Sequence, residues 1–378
     1  MAETFSTVAT ASTPGERAPR TSMRGRRRAI ALSVVSVASL LLAGCGKTAT
    51  QANVTPAAVT ATPTVVAVKA APPKPDVPVV WPLTGVATTE LVERPALAIK
   101  IENPREGRPQ TGLEAADMVW EEVVEGGVTR YVAVYHSSIP ADVGPVRSVR
   151  PMDPAIVAPL KGLIAFSGGE APFVAAVRAS GLQVLAQDAG DAGFYRSKDR
   201  AAPHNVHATM STLFNQADAN HKASPPAQFS FARTAALATA AVSGSPASTL
   251  NITMSGYSNP VWSWDAADGA WLRSEGSAPA VAASGARLAA QNVLILSVVM
   301  VNTQYVDPAG TPVPETKLVG SGTGLLATGG KTIPVNWSKA SVDAPISLSA
   351  GAGANALLAP GKTWIQLVPI GTGSFSVS

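Results

Sequence analysis

The sequence predicts an α+β protein, a mixed α/β domain followed by a β-rich domain, on three observations. Between residues 81 and 222, β-branched runs alternate with stretches of helical periodicity. From residue 249 onward the helical pattern is gone, and Gly and Pro punctuate apolar runs about every eight to twelve residues. Between the two lies a Pro/Ala/Ser stretch, residues 223–248, that reads as a linker.

The elements follow in chain order. From Met23 the chain reads Arg24, Gly25, Arg26, Arg27 and Arg28, then an apolar run from 29 to 42, then Ala43-Gly44-Cys45. A basic head, a short apolar core and small residues before a processing point make a secretory signal peptide. The apolar run is too short for the roughly 20 residues a membrane-spanning helix needs. Residues 1–44 are therefore expected to be removed, with Met23 the expected start and a weak twin-arginine character in Arg26-Arg27-Arg28. Leu42-Ala43-Gly44-Cys45 resembles the lipobox of bacterial lipoproteins, so Cys45 is the expected lipidation site and carries acyl chains such as palmitate. Two or more chains anchor a protein stably where one does not.

Processing changes the charge. Of 29 basic and 25 acidic side chains, six and two precede Cys45, which leaves 23 of each. A neutral mature chain gives no concentrated basic surface for nucleic acid. Cys45 is also the only cysteine, so no disulfide and no thiolate metal site is expected.

Residues 45–80 form a lipidated tether rich in Ala, Thr, Val and Pro, whose prolines exclude a helix. In the first domain, residues 81–222, a β-type run spans 95–101, and strands 117–124 and 128–136 meet across Gly126-Gly127. With those two glycines as a two-residue turn, Val123 faces Arg130 and Glu121 faces Val132. Glu121, Glu125, Arg130 and His136 then share one face, while Trp120, Glu122, Tyr131 and Tyr135 share the other. A buried strand over 160–166 ends in Ser167-Gly168-Gly169, and helices are expected over 171–180 and 210–220. In the second domain, residues 249–378, short strands fill 249–272, a β-branched run covers 292–301, and further strands lie near 315–320, 331–337 and 363–370. The pattern suggests a sandwich or barrel-like module.

Chemistry-bearing residues concentrate in loops. Arg147 and Arg150 sit in a stiff Gly-Pro-Val-Arg-Ser-Val-Arg-Pro loop, and arginine forks suit carboxylate or phosphate. Gly168 and Gly169 offer backbone N–H donors at a helix start. Arg108, Arg130, Arg200, His204 and Asn205 complete a candidate ligand-binding set, and the same arginines can equally pin their loops to acidic neighbours. Glu121, Glu125 and His204 form a candidate catalytic set. His204 and His207 have helical metal-ligand spacing but no third ligand nearby in sequence, so neither a metal nor a cofactor is expected.

Several stretches together resemble the YerB-like lipoprotein family, a two-domain bacterial family of unknown function. They are Trp81-Pro82-Leu83-Thr84-Gly85, Arg94-Pro95, residues 107–113 (GRPQTGL), Ala116-Asp117, residues 125–130 (EGGVTR), residues 144–151 (GPVRSVRP) and Ala202-Pro203-His204-Asn205. The likeness covers about residues 81–220 strongly. It continues more weakly through Trp264-Asp265, Gly269, Arg273, residues 291–293 (QNV) and residues 360–365 (PGKTWI). Two departures stand out. Trp264 and Trp271 occupy an aspartate turn where relatives commonly carry tyrosine, and the alanine-rich 274–290 lacks a histidine–aspartate pair associated with the family. The resemblance implies a lipid-anchored envelope protein and supplies no reaction.

The leading expectation is a non-catalytic module on the extracytoplasmic face of the membrane, binding an anionic cell-wall component or a peptide. Two rivals remain. One is an envelope hydrolase or transferase using His204 with a hairpin glutamate. The other is a scaffold for an envelope protein complex.

Overall fold

The computed structural model describes residues 77–378, so the signal segment, Cys45 and nearly all of the expected tether lie outside the described residues. The first half contributes β1 (Leu97–Glu102), β2 (Met118–Val123), β3 (Thr129–Tyr135), β4 (Asp142–Val143), β5 (Leu163–Phe166), β6 (Gln183–Ala186), β7 (Phe194–Arg196) and β8 (Val206–Thr209). Helices α1 (Asp153–Val157), α2 (Ala171–Ala179) and α3 (Met210–Phe214) lie between or after them, and α4 (Thr239–Ser243) leads into the second half. There follow β9 (Ser245–Pro246), β10 (Thr249–Thr253), β11 (Pro260–Asp265), β12 (Ala270–Glu275), β13 (Ala278–Pro279), β14 (Ala289–Ala290) and β15 (Asn292–Val306). The last elements are β16 (Pro312–Lys317), β17 (Gly320–Thr328), β18 (Lys331–Lys339), β19 (Ser347–Ala350), β20 (Ala354–Asn355), β21 (Thr363–Pro369) and β22 (Ser374–Val377). The chain is thus α+β, with few helices and a β-rich C-terminal region.

The two halves share one sheet. Its order is β20-β19-β18-β17-β15-β21-β2-β3-β1-β5-β6, with β16 added on β15 and β9 on β18. β21 is the seam. It runs parallel to β15 on one side (Asn292 opposite Thr363) and parallel to β2 on the other (Met118 opposite Thr363). Every residue of β21 is buried, as expected for a parallel strand covered on both faces. The 223–248 stretch is wound onto this sheet instead of hanging free. Phe229 stacks 6.5 Å from Trp120, Phe231 bridges Leu358, and β9 pairs with β18.

The sheet has a core on each face. One face holds Trp120, Val132, Ile164, Leu294 and Ile365, with α1, α2 and the β15–β16 ribbon contributing Ile156, Phe173 and Val313. The other holds Val119, Tyr131, Ala133, Ile295 and Trp364 against a second sheet ordered β13-β12-β11-β10-β22, with β14 added on β12. Trp262 and Trp271 of that second sheet are fully buried.

Three local expectations are corrected. The β2–β3 loop has three residues, Glu125 to Gly127, with Gly126 and Gly127 both at positive φ. Glu122 therefore faces Arg130 and Glu121 faces Tyr131, one residue away from the two-residue-turn register. A one-residue slip moves side chains to the opposite face of their partner strand, so Glu121 parts from Arg130 and His136, and Glu122 joins them. The helix expected over 210–220 ends at Phe214, where Gln183 takes over the chain by donating to Gln216 O (2.6 Å) and accepting from Asp218 N (2.8 Å). The Gly-rich β17 was not expected as a strand, yet it pairs with both β15 and β18.

Because β21 covers the edge of β2, residues 81–222 alone expose that edge and lose part of both cores. Expressed alone, this fragment is expected to show no cooperative unfolding and a poorly dispersed amide NMR spectrum. A dispersed, native-like spectrum would show instead that the first half folds independently.

Candidate functional site

The corrected register places charged side chains on both faces of the β1–β2–β3 edge. On the helix-covered face, Lys100, Glu122 and Asp153 are fully buried. The Lys100 ammonium pairs with Glu122 and lies 2.7 Å from Asp153 Oδ1, while Asp153 Oδ2 accepts a bond from Arg150 N (2.6 Å). Burial, and next the Asp153 carboxylate, push the Glu122 carboxyl up to about 7 against the opposing pull of Lys100.

The arginines of the Gly-Pro-rich loop are taken up by carboxylates close by. Arg150 forks onto Glu125 (Nη2 to Oε2, 2.8 Å), Arg130 lies 3.6 Å from the same oxygen, and Arg147 Nε lies 3.1 Å from Glu102 Oε2. Arg130 also donates to Ser148 O (2.8 Å) and Arg200 to Gly107 O (2.7 Å). Asn205 accepts from Arg196 (2.8 Å) and donates to Ser197 O (3.1 Å). Gly168 O accepts from Val149 N (3.0 Å), and a Cβ on Gly169 would sit 2.8 Å from Val149 Cγ2, so this turn is packed against the same loop. Most of the candidate binding residues are therefore brought together, but as mutually paired struts.

The catalytic expectation changes its partner. His204 Nδ1 lies 2.9 Å from Glu102 Oε2, a buried β1 carboxylate outside the expected catalytic set. Glu125 is engaged with Arg150 and Arg130, and Glu121 points to the other face of the sheet, so neither is the partner of His204. His136, once expected beside them, is fully buried, and burial followed by the nearby Arg94 depresses its pKa to about 4. Among the described residues no group of three His, Cys, Asp or Glu side chains could hold a metal ion.

The opposite face carries Arg273, a second-sheet residue with no exposed surface. Its guanidinium reaches across to β2, with Nη1 2.8 Å from Glu121 Oε2, and its Nε donates to Glu275 Oε1 (2.8 Å). The rings of Trp364, Tyr131 and Trp262 lie around it at 5.0, 5.5 and 5.6 Å. Burial alone would depress this pKa, but Glu121 and Glu275 outweigh it and hold the group above its ordinary value.

Through Glu275 this cluster adjoins a cleft of about 790 Å³ lined from both halves of the sequence. Its polar floor is one network. Thr129 Oγ1 donates to Glu121 Oε1 (2.8 Å), Asn103 Nδ2 to Thr129 Oγ1 (2.8 Å), and Arg108 Nε to Asn103 Oδ1 (2.9 Å). Arg108 Nη2 then closes onto Glu275 Oε2 at 3.2 Å. Apolar walls come from Pro104, Val128, Ala280 and Leu288, and Tyr257, 78% exposed, stands at the rim. Of the candidate arginines, Arg108 alone lines this cleft, and Arg200 braces the 107–109 loop beside it.

Comparison with known proteins follows the same two halves. Residues 83–223 match the family described as "Protein of unknown function (DUF3048) N-terminal domain", and residues 250–365 match its C-terminal domain. A Bacillus subtilis (strain 168) protein named "Putative lipoprotein YerB" is 47% identical over 70 residues, 18% of this chain and 21% of that protein. The aligned stretch thus spans about a fifth of that relative's length. The crystal structure of the YerB protein from Bacillus subtilis superposes with a TM-score of 0.65, covering 79% of this chain and 99% of that one. At 23% identity this is a likeness of fold.

The buried Glu122 carboxyl gives a pH signature. Between its ordinary value of 4.5 and about 7, the folded chain holds a proton that the unfolded chain releases, so this group lowers stability as pH rises through that window. His136, depressed to about 4, acts with opposite sign over an overlapping range, so the readout is a difference between variants. Glu122→Gln is expected to raise Tm at pH 7 relative to its effect at pH 5. Parallel Tm-versus-pH curves for the two proteins would contradict this.

Proposed function

The chain belongs to the two-domain DUF3048 family, in which no activity is assigned, and from that premise we propose that it is a lipid-anchored envelope protein that binds a ligand in the cleft between its two sheets. The observation that carries this reading is the cleft itself. A volume of about 790 Å³ suits a ligand site, as do apolar walls around a few fixed polar groups. The cleft floor is built from side chains that already satisfy one another, which pre-organises the site and lowers the cost of binding.

The likeness to a named lipoprotein supports the anchor, and the signal-like segment ending at Cys45 supports extracytoplasmic exposure. Among the described residues no helix is long and apolar enough to cross a membrane. The charge pairing also narrows the ligand. Arg108 is shared with Glu275 and Arg105 is balanced in charge by Glu106, so the cleft lining is formally neutral and part-apolar and favours a peptide segment or envelope protein over a densely anionic polymer. The Pro279 imino nitrogen leaves the β13 edge without a donor, which disfavours strand addition there.

Two measurements test this. Cys45→Ser is expected to move the protein from the membrane fraction to the soluble extracytoplasmic fraction, and unchanged membrane retention would contradict lipid anchoring. A photo-crosslinking residue in place of Tyr257 is expected to trap a partner in intact cells. The adduct should be lost when Ala278→Trp fills the cleft. Identical adducts from a probe at Val242, 60% exposed on α4, would remove the support for the cleft.

A further inference from the structure

A second cavity, of about 560 Å³, gathers motifs that the cleft does not use. Trp81 and Thr84 of the Trp-Pro-Leu-Thr-Gly stretch, Asp117, Gln291, and Pro360-Gly361-Lys362 all line it. The 361–363 backbone ties these stretches together, with Thr363 N donating to Asp117 O (3.1 Å). Gly361 N donates to Thr84 O (2.8 Å), and Lys362 N donates to Gln291 Oε1 (2.9 Å). Gly361 has a φ of +136°, and a Cβ there would fall 2.4 Å from Gln291 Oε1, so the approach of the loop to Gln291 requires glycine.

The groups in and around the cavity divide into spent and unspent. Asp117 is spent: its carboxylate accepts from His136 N and Ser137 N, both at 2.7 Å, and from the Ser137 hydroxyl. Arg94 is spent on His136 O (2.7 Å) and Ser137 O (2.9 Å), with its guanidinium over the Trp81 ring. His136 is held neutral near pH 7. The Lys362 ammonium uses one bond on Glu114 O, leaving two N–H donors, and the Gln291 amide nitrogen has no acceptor among the described residues. Lys362 is also the one cation among the described residues lining the cavity. The unspent groups are therefore donors, the Lys362 charge is partly offset by the Asp117 carboxylate, and Trp81 and Pro360 add apolar wall.

We propose that this cavity binds a carboxylate, held by the Lys362 ammonium and the Gln291 amide, with the apolar body of the ligand against Trp81. An amide and an ammonium lining one cavity offer donors to the two oxygens of a carboxylate, and charge-assisted bonds of this kind are the stronger ones. The site is separate from the cleft, so the two readings stand or fall independently.

The test is calorimetric titration of the full chain carrying Cys45→Ser. Two carboxylates from different sources serve as probes, N-acetylmuramic acid and N-acetyl-D-alanyl-D-alanine, with N-acetylglucosamine as the probe without a carboxylate. At least one carboxylate is expected to bind and N-acetylglucosamine is not; which carboxylate binds identifies the source. Lys362→Met is expected to weaken binding by about tenfold or more, and Lys362→Arg to retain most of it. Should Lys362→Met fail to fold, Ser138→Trp at the exposed mouth of the cavity should block binding with little change in Tm. The proposal is overturned if neither carboxylate binds, if N-acetylglucosamine binds equally well, or if none of the folded variants weakens binding.

Discussion

The Arg273 guanidinium has no solvent-exposed surface. A guanidinium taken wholly out of solvent loses several kcal/mol of hydration, and it regains that only where carboxylates and ring faces meet it in good geometry. Its partners come from four other strands or strand ends: Glu121 of β2, Tyr131 of β3, Trp262 of β11 and Trp364 of β21, with Glu275 supplied by its own strand. The second sheet therefore docks on the first in a narrow range of positions, because sliding it would strand a buried charge. The cleft inherits that constraint, since Glu121 and Glu275 are also the inner and outer ends of its hydrogen-bonded floor.

The same economy governs the opposite face. Lys100, Arg130, Arg147 and Arg150 are matched by Glu122, Asp153, Glu125 and Glu102. Mutual pairing lets a Gly-Pro-rich loop, with little apolar surface of its own, be held in place by ion pairs. It also means that this loop, despite its two arginines, is poor in free positive charge. Binding chemistry is better supported in the two cavities, where polar groups meet apolar wall, than at the loop that first draws the eye.

Much of the fold was legible in the sequence. The β-type run at 95–101 and the β-branched run at 292–301 fall on the central strands β1 and β15, and the two runs joined across Gly126-Gly127 fall on β2 and β3. Their register was not legible, because Gly126-Gly127 satisfies both a two-residue turn and the last two positions of a three-residue loop. That single ambiguity exchanged Glu121 and Glu122 between faces, and with them the two charge clusters. The place of β21 was hidden for a different reason: parallel pairing joins residues about 245 apart in sequence, and no local pattern encodes it. Lys100 and Glu102 alternate with apolar residues in the sequence, and only their burial in the fold reveals them as the partners of Glu122, Arg147 and His204. Arg273 was noted only as part of a family resemblance; its distance from any carboxylate partner in sequence other than Glu275 gave no sign of Glu121.

The claim on which the rest depends is that the Glu121–Arg273 pair couples the two sheets. A double-mutant cycle with Glu121→Gln and Arg273→Met, read by urea unfolding, measures it directly. Arg273→Met should lose about 3 kcal/mol or more by leaving Glu121 buried without a counter-charge, Glu121→Gln should lose less because Arg273 keeps Glu275, and the double variant should lose less than the sum by about 2 kcal/mol. Additivity of the two losses to within about 0.5 kcal/mol would contradict it, and would mean that apolar packing alone holds the second sheet in place.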